Sequence, residues 1–385
     1  MRVTASVVRV LASCGIGAAS AMAIVILAAV PLGPVLADEA AGGESFVFYP
    51  APPAEPRLQF LAGFNQPSDV AGGGGGLRSF IFGGNERERD LIEKPYGLAI
   101  FEGAIYVVDA RGGGYGVFDL AQNKTRFVEG VGAGSMSKPI NITIDTDGTR
   151  YITDTGRKAV LIYDREDRFS RAFGLKDQGV PVDVAIAGER LYVTDVDNMQ
   201  VHVIDKSTGR ELDRFGEPGS EAGKLFHPTN IAVAPDGSLY VTDTTNFRVQ
   251  QFTAEGEFIR EIGSIGVNAG HFVRPKGVAL DREGRIYVVD AAFENVQVLA
   301  RDGAALTAFG GVGDGPGNLN LPTAVTIDDD NVRYFRRYAA PGFELHYIVA
   351  VASQYGHNKV SVYGFGSMTE AGGIEGGAVP SARDR

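Results

Sequence analysis

A proline separated by two residues from a short apolar triplet recurs six times along the chain. The pairs are Pro95 with 98–100, Pro139 with 142–144, Pro181 with 184–186, Pro228 with 231–233, Pro275 with 278–280 and Pro322 with 325–327. The prolines are spaced by 44, 42, 47, 47 and 47 residues. In every triplet the middle residue is Ala or Thr and its neighbours are large aliphatics. Strand side chains alternate between faces, so each such strand has one bulky face and one small face. Sheets that converge on a common axis need that asymmetry, because a large side chain on one must meet a small one on the next.

A second apolar run follows each of the first five triplets after a turn. It reads Ile105-Tyr106-Val107-Val108-Asp109 in the first copy, and the later copies end at Asp154, Asp195, Asp243 and Asp290. Asp147-Gly148, Asp236-Gly237 and Glu283-Gly284 make the intervening turns explicit. Third runs lie at 160–163, 201–204, 249–252 and 296–299, and fourth runs close on Phe-Gly or Ile-Gly at Gly174, Gly216, Gly263 and Gly310. Four antiparallel strands repeated every ~40–50 residues predict an all-β, six-bladed β-propeller.

The stretch Thr242-Asp243-Thr244-Thr245-Asn246-Phe247-Arg248-Val249-Gln250-Gln251-Phe252 resembles the NHL repeat, and the resemblance extends over about residues 57–366. The sixth copy departs from the pattern. It carries an insertion over 331–342, has no acid at the position of the repeat Asp, and runs into a Gly-rich tail without a fourth strand. Residues 57–64, Arg-Leu-Gln-Phe-Leu-Ala-Gly-Phe, resemble the missing strand. They are predicted to complete the sixth blade and leave no open edge at the seam.

Residues outside the repeats read as separate segments. Arg2 and Arg9 precede an uncharged, mostly apolar run to Ala37, which describes a signal peptide cleaved after Ala37. An uncleaved membrane anchor and lipid attachment at Cys14 remain as alternatives, and all three place the folded part outside the cytoplasm, periplasmic or extracellular. Residues 38–56 read as a Pro-rich linker, 71–76 as a flexible glycine loop, and 367–385 as a disordered tail.

Composition narrows the chemistry. The net charge is −11, which disfavours nucleic acid, and the lone Cys14 excludes an internal disulfide or thiolate metal site. The membrane is involved only through the N-terminal segment, and the propeller is expected to be monomeric.

Two residues after the entry prolines stand Gly97, Asn141, Asp183, Asn230, Gly277 and Ala324. Asn141, Asp183 and Asn230 are the ligand-binding candidates, expected near the channel mouth. They can either hold a polar ligand or a cation such as Ca2+, or cap their own strand entries. Asp109, Asp154, Asp195, Asp243 and Asp290 are read as structural turn aspartates. Arg157, Phe247, Arg248, Phe293 and His357 are expected on the same face as a protein or peptide contact, and the insertion residues Tyr334, Phe335, Arg336 and Arg337 as a second one.

With no nucleophile or acid–base constellation and no resident cofactor in view, the chain reads first as a non-catalytic binding or scaffolding propeller of the cell envelope. The alternative is a metal-dependent hydrolase or lyase acting at the central channel, as in gluconolactonase-like and peptidyl-hydroxyglycine-lyase propellers. The former place Asn directly after the entry proline, where this chain has Tyr96, Ile140, Val182, Thr229, Lys276 and Thr323.

Overall fold

Each entry proline opens the innermost strand of an antiparallel sheet in the computed structural model, which describes residues 46–51, 53–71 and 89–369. The N-terminal segment through residue 45, with Cys14, the glycine run from 72 and the tail beyond 369 lie outside the described residues.

Blade 1 runs from Pro95–Phe101 to Lys124–Glu129, blade 2 from Pro139–Ile144 to Phe169–Gly174, and blade 3 from Pro181–Ala187 to Glu211–Phe215. Blade 4 runs from Pro228–Val233 to Phe258–Ile262, and blade 5 from Pro275–Leu280 to Ala305–Gly310. Inner strands of consecutive blades touch, and that of blade 6, Pro322–Asp328, returns to that of blade 1. The ring closes at six.

Blade 6 is assembled from both ends of the propeller. Its order outward is Pro322–Asp328, Phe343–Ser353, Val360–Met368, Leu58–Phe64 and Val47–Tyr49. The strand expected at 57–64 is therefore present, and its partner runs to Met368, slightly into the segment expected as tail. The fifth strand falls inside the segment expected as linker. Val47, Phe48 and Tyr49 are all buried, and the Tyr49 hydroxyl donates to the Gly317 carbonyl at 2.9 Å. Tyr49 meets Phe309 of blade 5 and Tyr363 of blade 6, so this strand covers the seam as well as the blade edge.

The packing between blades follows the bulky and small faces of the triplets. Ala99 of blade 1 shares a cluster with Ile142 and Ile152 of blade 2, and Ala185 of blade 3 with Ile231 and Val241 of blade 4. Glycine marks the tightest approaches. A Cβ on Gly277 would lie 2.7 Å from the Cα of Ala324, and one on Gly97 would lie 2.6 Å from the Cα of Asn141. No side chain fits at either point.

Two of the expected contact residues are internal. Phe335 is fully buried because the insertion folds back as two short 3-10 turns, Val332–Tyr334 and Arg336–Tyr338. These seat Val332 and Phe335 in the core between blades 6 and 1, with Tyr334 lying over Gly103. Only Arg336 and Arg337 of the four expected insertion contacts are exposed. Arg248 is 7% exposed. Its guanidinium is drawn inward by Asp243 at 3.0 Å and Glu261 at 2.7 Å, and it also donates to the carbonyls of Glu221 and Lys224. It is an internal strut, not a surface contact.

Candidate functional site

Proline lacks an N–H and interrupts the ladder at the start of each inner strand. Pairing with the second strand slips between Pro139 and Asn141, between Pro181 and Asp183, and between Pro228 and Ile231. The slips leave polar groups at these positions to bond across blades. Asn141 Nδ2 donates to Asp183 Oδ1 at 2.6 Å, and Asn230 Nδ2 donates to Asp183 Oδ2 at 3.2 Å. Backbone N–H groups complete the set, from Val184 to Oδ1 at 2.7 Å and from Ile231 to Oδ2 at 3.0 Å. Asn141 also caps its own strand, accepting from Ile142 N at 2.9 Å.

Two threonines tie this layer together. Thr153 Oγ1 accepts from Asn141 N at 3.0 Å and donates to the Val182 carbonyl at 2.7 Å. Thr194 Oγ1 accepts from Asp183 N at 3.0 Å and lies 3.5 Å from the Thr229 carbonyl. The residue before each repeat Asp is Thr in blades 2, 3 and 4, where the strand-entry residue is Asn, Asp or Asn. It is Val108 or Val289 in blades 1 and 5, where that residue is Gly. The polar layer is thus written as matched pairs within one chain.

Asn141, Asp183 and Asn230 line one end of a central channel of about 360 Å³, whose other walls are mostly aliphatic inner-strand side chains. Asp183 is 5% exposed. Burial pushes its carboxyl up to about 7, against the pull of the Ile231 and Val184 amides and the two asparagines. Its two oxygens already accept four hydrogen bonds, and both asparagines present N–H groups to it. Those oxygens therefore do not fit a cation in this arrangement. Among the described residues no three His, Cys, Asp or Glu side chains are grouped to hold a metal ion. Asn230 Oδ1 is buried without a hydrogen-bond partner and is available to a ligand donor. The arrangement sets a carboxyl whose proton affinity burial has raised to about 7 beside a set of fixed amide donors.

The five repeat aspartates do a different job. Asp109 accepts from Arg111 N and Gly112 N in its own turn, and also from Glu93 N and Lys94 N just before the entry proline. Asp154 does the same with Arg157 N, Ser137 N and Lys138 N, and Asp290 with Ala292 N, Val273 N and Arg274 N. Asp195 and Asp243 take Val180 N and Phe226 N. Each aspartate clamps the strand entry to the neighbouring turn.

The remaining contact candidates lie on these turns. Arg157 is half-buried and donates to the carbonyls of Ala133 and Ser135, both at 2.7 Å. Phe247 and Phe293 are half-buried, and His357 is exposed.

Residues 227–252 match the NHL repeat family. A probable peptidyl-alpha-hydroxyglycine alpha-amidating lyase of Caenorhabditis elegans is 34% identical over 110 residues. That stretch is 27% of this chain and 31% of the relative, so the match spans about a third of the relative's length. Among solved structures, a Xanthomonas campestris gluconolactonase superposes with TM-score 0.55 at 15% identity, covering 86% of this chain and 97% of that one. A streptogramin B lyase superposes with TM-score 0.50 at 14% identity, covering 71% of this chain and 83% of that one. At such identities the two structures share the fold. The expectation of a non-catalytic scaffold is corrected here: a relative in sequence, matched over about a third of its length, is named a lyase.

Proposed function

We propose that this chain, a six-bladed β-propeller carrying an NHL repeat, is a lyase that works at the polar end of its central channel, with Asp183 as the acid–base group. The observation that carries this reading is Asp183 itself. It is a buried carboxyl lining the channel, with its proton affinity raised to about 7 and two asparagine amides fixed beside it. A group with that affinity is poised to accept and return a proton near neutral pH. The similarity to a protein named as an amidating lyase supports the same class of reaction.

On a peptidyl-α-hydroxyglycine the step balances with one carboxylate. Asp183 accepts the hydroxyl proton as Oδ2 gives up its 3.2 Å bond from Asn230 Nδ2, the longest of its four, and the oxygen lone pair forms the new carbonyl. The C–N bond breaks with its electron pair passing to nitrogen, and nitrogen takes the proton back as the amide. The unpartnered Asn230 Oδ1 is suited to hold the substrate N–H or O–H.

The test is release of glyoxylate from N-benzoyl-α-hydroxyglycine by the purified protein. Asp183→Asn should reduce kcat/KM by about 10²- to 10⁴-fold, the usual worth of one acid–base group. The wild-type profile should rise as pH increases through about 7, where Asp183 loses its proton. Turnover no faster than in buffer, or an Asp183→Asn protein as fast as wild type, would overturn the reading.

The basic and apolar start of the chain supports export of this enzyme. The N-terminal sequence of the protein recovered from the cell envelope tests it, with cleavage expected after Ala37.

A further inference from the structure

The insertion of blade 6 follows the inner strand Pro322–Asp328, so it lies at the end of the propeller opposite the strand entries. Its two 3-10 turns form a fixed shelf. Val332 and Phe335 are sunk in the core, and the ring of Tyr338 meets that of Phe64 edge-on at 6.2 Å. Gln59, fully buried in the strand Leu58–Phe64, grips the end of the shelf with both atoms of its amide. Its Nε2 donates to the Tyr338 carbonyl at 3.1 Å, and its Oε1 accepts from Ala340 N at 2.9 Å.

With its apolar side chains turned inward, the shelf turns Arg333, Arg336 and Arg337 outward. The guanidinium of Arg333 lies over the Tyr334 ring at 4.7 Å, with Nη2 also donating to the Tyr334 hydroxyl at 2.8 Å. That of Arg337 lies over the Tyr338 ring at 4.9 Å. Tyr334 covers Gly103 in the first turn of blade 1, and Arg337 Nη1 is 3.5 Å from Asn123 Oδ1 in the last, next to the exposed Lys124. The cations therefore follow blade 1 from its inner hairpin to its outer one. No acid neutralises them: none of the four makes an ion pair among the described residues. The acids closest in sequence are engaged elsewhere. Asp328 accepts from Asn331 N and Nδ2 at 2.7 and 2.8 Å, while Asp329 and Asp330 pair with Arg282 at 3.2 and 3.0 Å. Asp69, whose charge reaches the Tyr338 hydroxyl, accepts from Asn65 N and Gln66 N, both at 2.7 Å. By contrast, the exposed Arg165, Arg168, Arg282 and Arg301 each pair with an acid. In a chain of net charge −11, an unpaired row of arginines is the exception.

We infer that this shelf, through Arg333, Arg336 and Arg337, is a docking surface for an acidic segment of a partner protein. Guanidinium forks match carboxylates in pairs, and stacking on an aromatic ring holds the fork in place before the partner arrives. Arg333 and Arg337 are laid on separate rings, so they suit several carboxylates along an extended segment better than one small anion. A bilayer surface fits less well, because the aromatic side chains that would enter it, Tyr334, Phe335 and Tyr338, are turned into the protein. The surface lies at the other end of the propeller from Asp183 and stands whether or not Asp183 turns a substrate over.

Fluorescence anisotropy of a labelled Glu-rich peptide titrated with the purified protein tests it. Binding should be saturable and should weaken at least tenfold as salt rises from about 0.05 to about 0.5 M. Arg336→Gln combined with Arg337→Gln should weaken it about tenfold, and adding Arg333→Gln should abolish it. These side chains are exposed and pair with no acid, so the melting temperature should stay that of wild type. Lys138→Gln combined with Arg274→Gln, which removes two exposed charges at the strand-entry end, should leave the affinity unchanged. No saturable binding, or an equal loss from the two pairs of substitutions, would overturn the inference. Tighter binding to phosphatidylglycerol vesicles or to pyrophosphate than to the peptide would do the same. So would a wild-type dimer in sedimentation that the Arg336→Gln, Arg337→Gln protein no longer forms, since the occupant would then be a second copy of this chain. None of those results bears on Asp183 as the acid–base group.

Discussion

His202 and Asp195 form a buried pair in blade 3, with Nε2 3.0 Å from Oδ2 and neither side chain exposed. The other ring nitrogen of His202 lies 2.9 Å from Glu211 Oε2. Blades 4 and 5 carry Gln250 and Gln297 at this position, and Gln250 Nε2 donates to the repeat Asp243 at 3.0 Å. Blade 3 thus meets the same need with an imidazole held between two carboxylates.

This pair predicts how stability depends on pH. Burial opposes the charge on His202, but the bonds to Asp195 and Glu211 outweigh it and raise its proton affinity above the ordinary value. Burial likewise opposes ionisation of Asp195 and Glu211, and their hydrogen bonds, His202 first, hold both below their ordinary values. The His202 contribution is therefore complete below its unfolded value of about 6.5 and is lost as pH rises through the folded value. The carboxylate contribution is present above about 4.5 and is lost as pH falls. Stability should peak between these limits. His202→Gln should abolish the alkaline loss at a cost of about 1–2 kcal/mol, and His202→Ala should cost more, by urea denaturation at pH 5.5 and 8.5.

The repeat was legible because proline, the bulky and small alternation, and the recurring Asp each report a local backbone requirement. Fate at the surface was not legible in the same way. Arg248 reads as an exposed turn residue, yet it enters the blade because Asp243 and Glu261 neutralise it there. Phe335 sits in a polar, basic stretch, and only the return of the chain onto blades 6 and 1 buries it. The channel-lining Asp183 could be singled out by its position, but its raised proton affinity comes from burial within the closed ring, against the pull of Asn141 and Asn230, 42 and 47 residues away. The pairing of Thr153 and Thr194 with polar strand entries was the available signal for that contact layer.

Gly277→Ala isolates the inter-blade fit. Gly277 has no positive φ, so alanine meets no backbone penalty there. The new methyl would instead lie 2.7 Å from Ala324 Cα and 2.8 Å from Val325 N, backbone atoms that can move only if blades 5 and 6 separate. Overpacking of this kind costs about 1–3 kcal/mol. A thermal melt of Gly277→Ala should show a drop of several degrees, whereas Gly237→Ala, whose new methyl meets no atom within 4 Å, should respond only through its positive φ of 83°.

The seam of blade 6 predicts a graded response to truncation. Removing residues 57–64 withdraws Leu58, Phe60 and Phe64 from two inter-blade cores and exposes the edge of Val360–Met368, so the melting temperature should fall sharply or the protein should aggregate. Tyr49→Phe keeps the ring packing against Phe309 and Tyr363 and removes only the bond to the Gly317 carbonyl. That change should cost about 1 kcal/mol. A melt unchanged by the 57–64 deletion would mean that the seam closes without this strand.

Asp183 makes a second contribution to pH dependence, of the same sign as that of His202 but beginning at lower pH, and a variant separates the two. Its folded proton affinity, about 7, exceeds the unfolded value of about 3.9, so the folded state holds this proton more tightly. The resulting stabilisation is complete below pH ~4 and declines as pH rises to about 7, above which the dependence flattens. Asp183→Asn removes that slope. It also replaces one carboxylate oxygen by an NH2, which leaves one pair of donors, either Val184 N with Asn141 Nδ2 or Ile231 N with Asn230 Nδ2, with nothing to accept it. Leaving buried donors unmet costs about 1–3 kcal/mol. The variant should therefore be less stable than wild type at pH 5 and closer to it at pH 8. A difference between the two proteins that stayed the same at both values would show that Asp183 remains ionised throughout, with its four hydrogen bonds prevailing over burial.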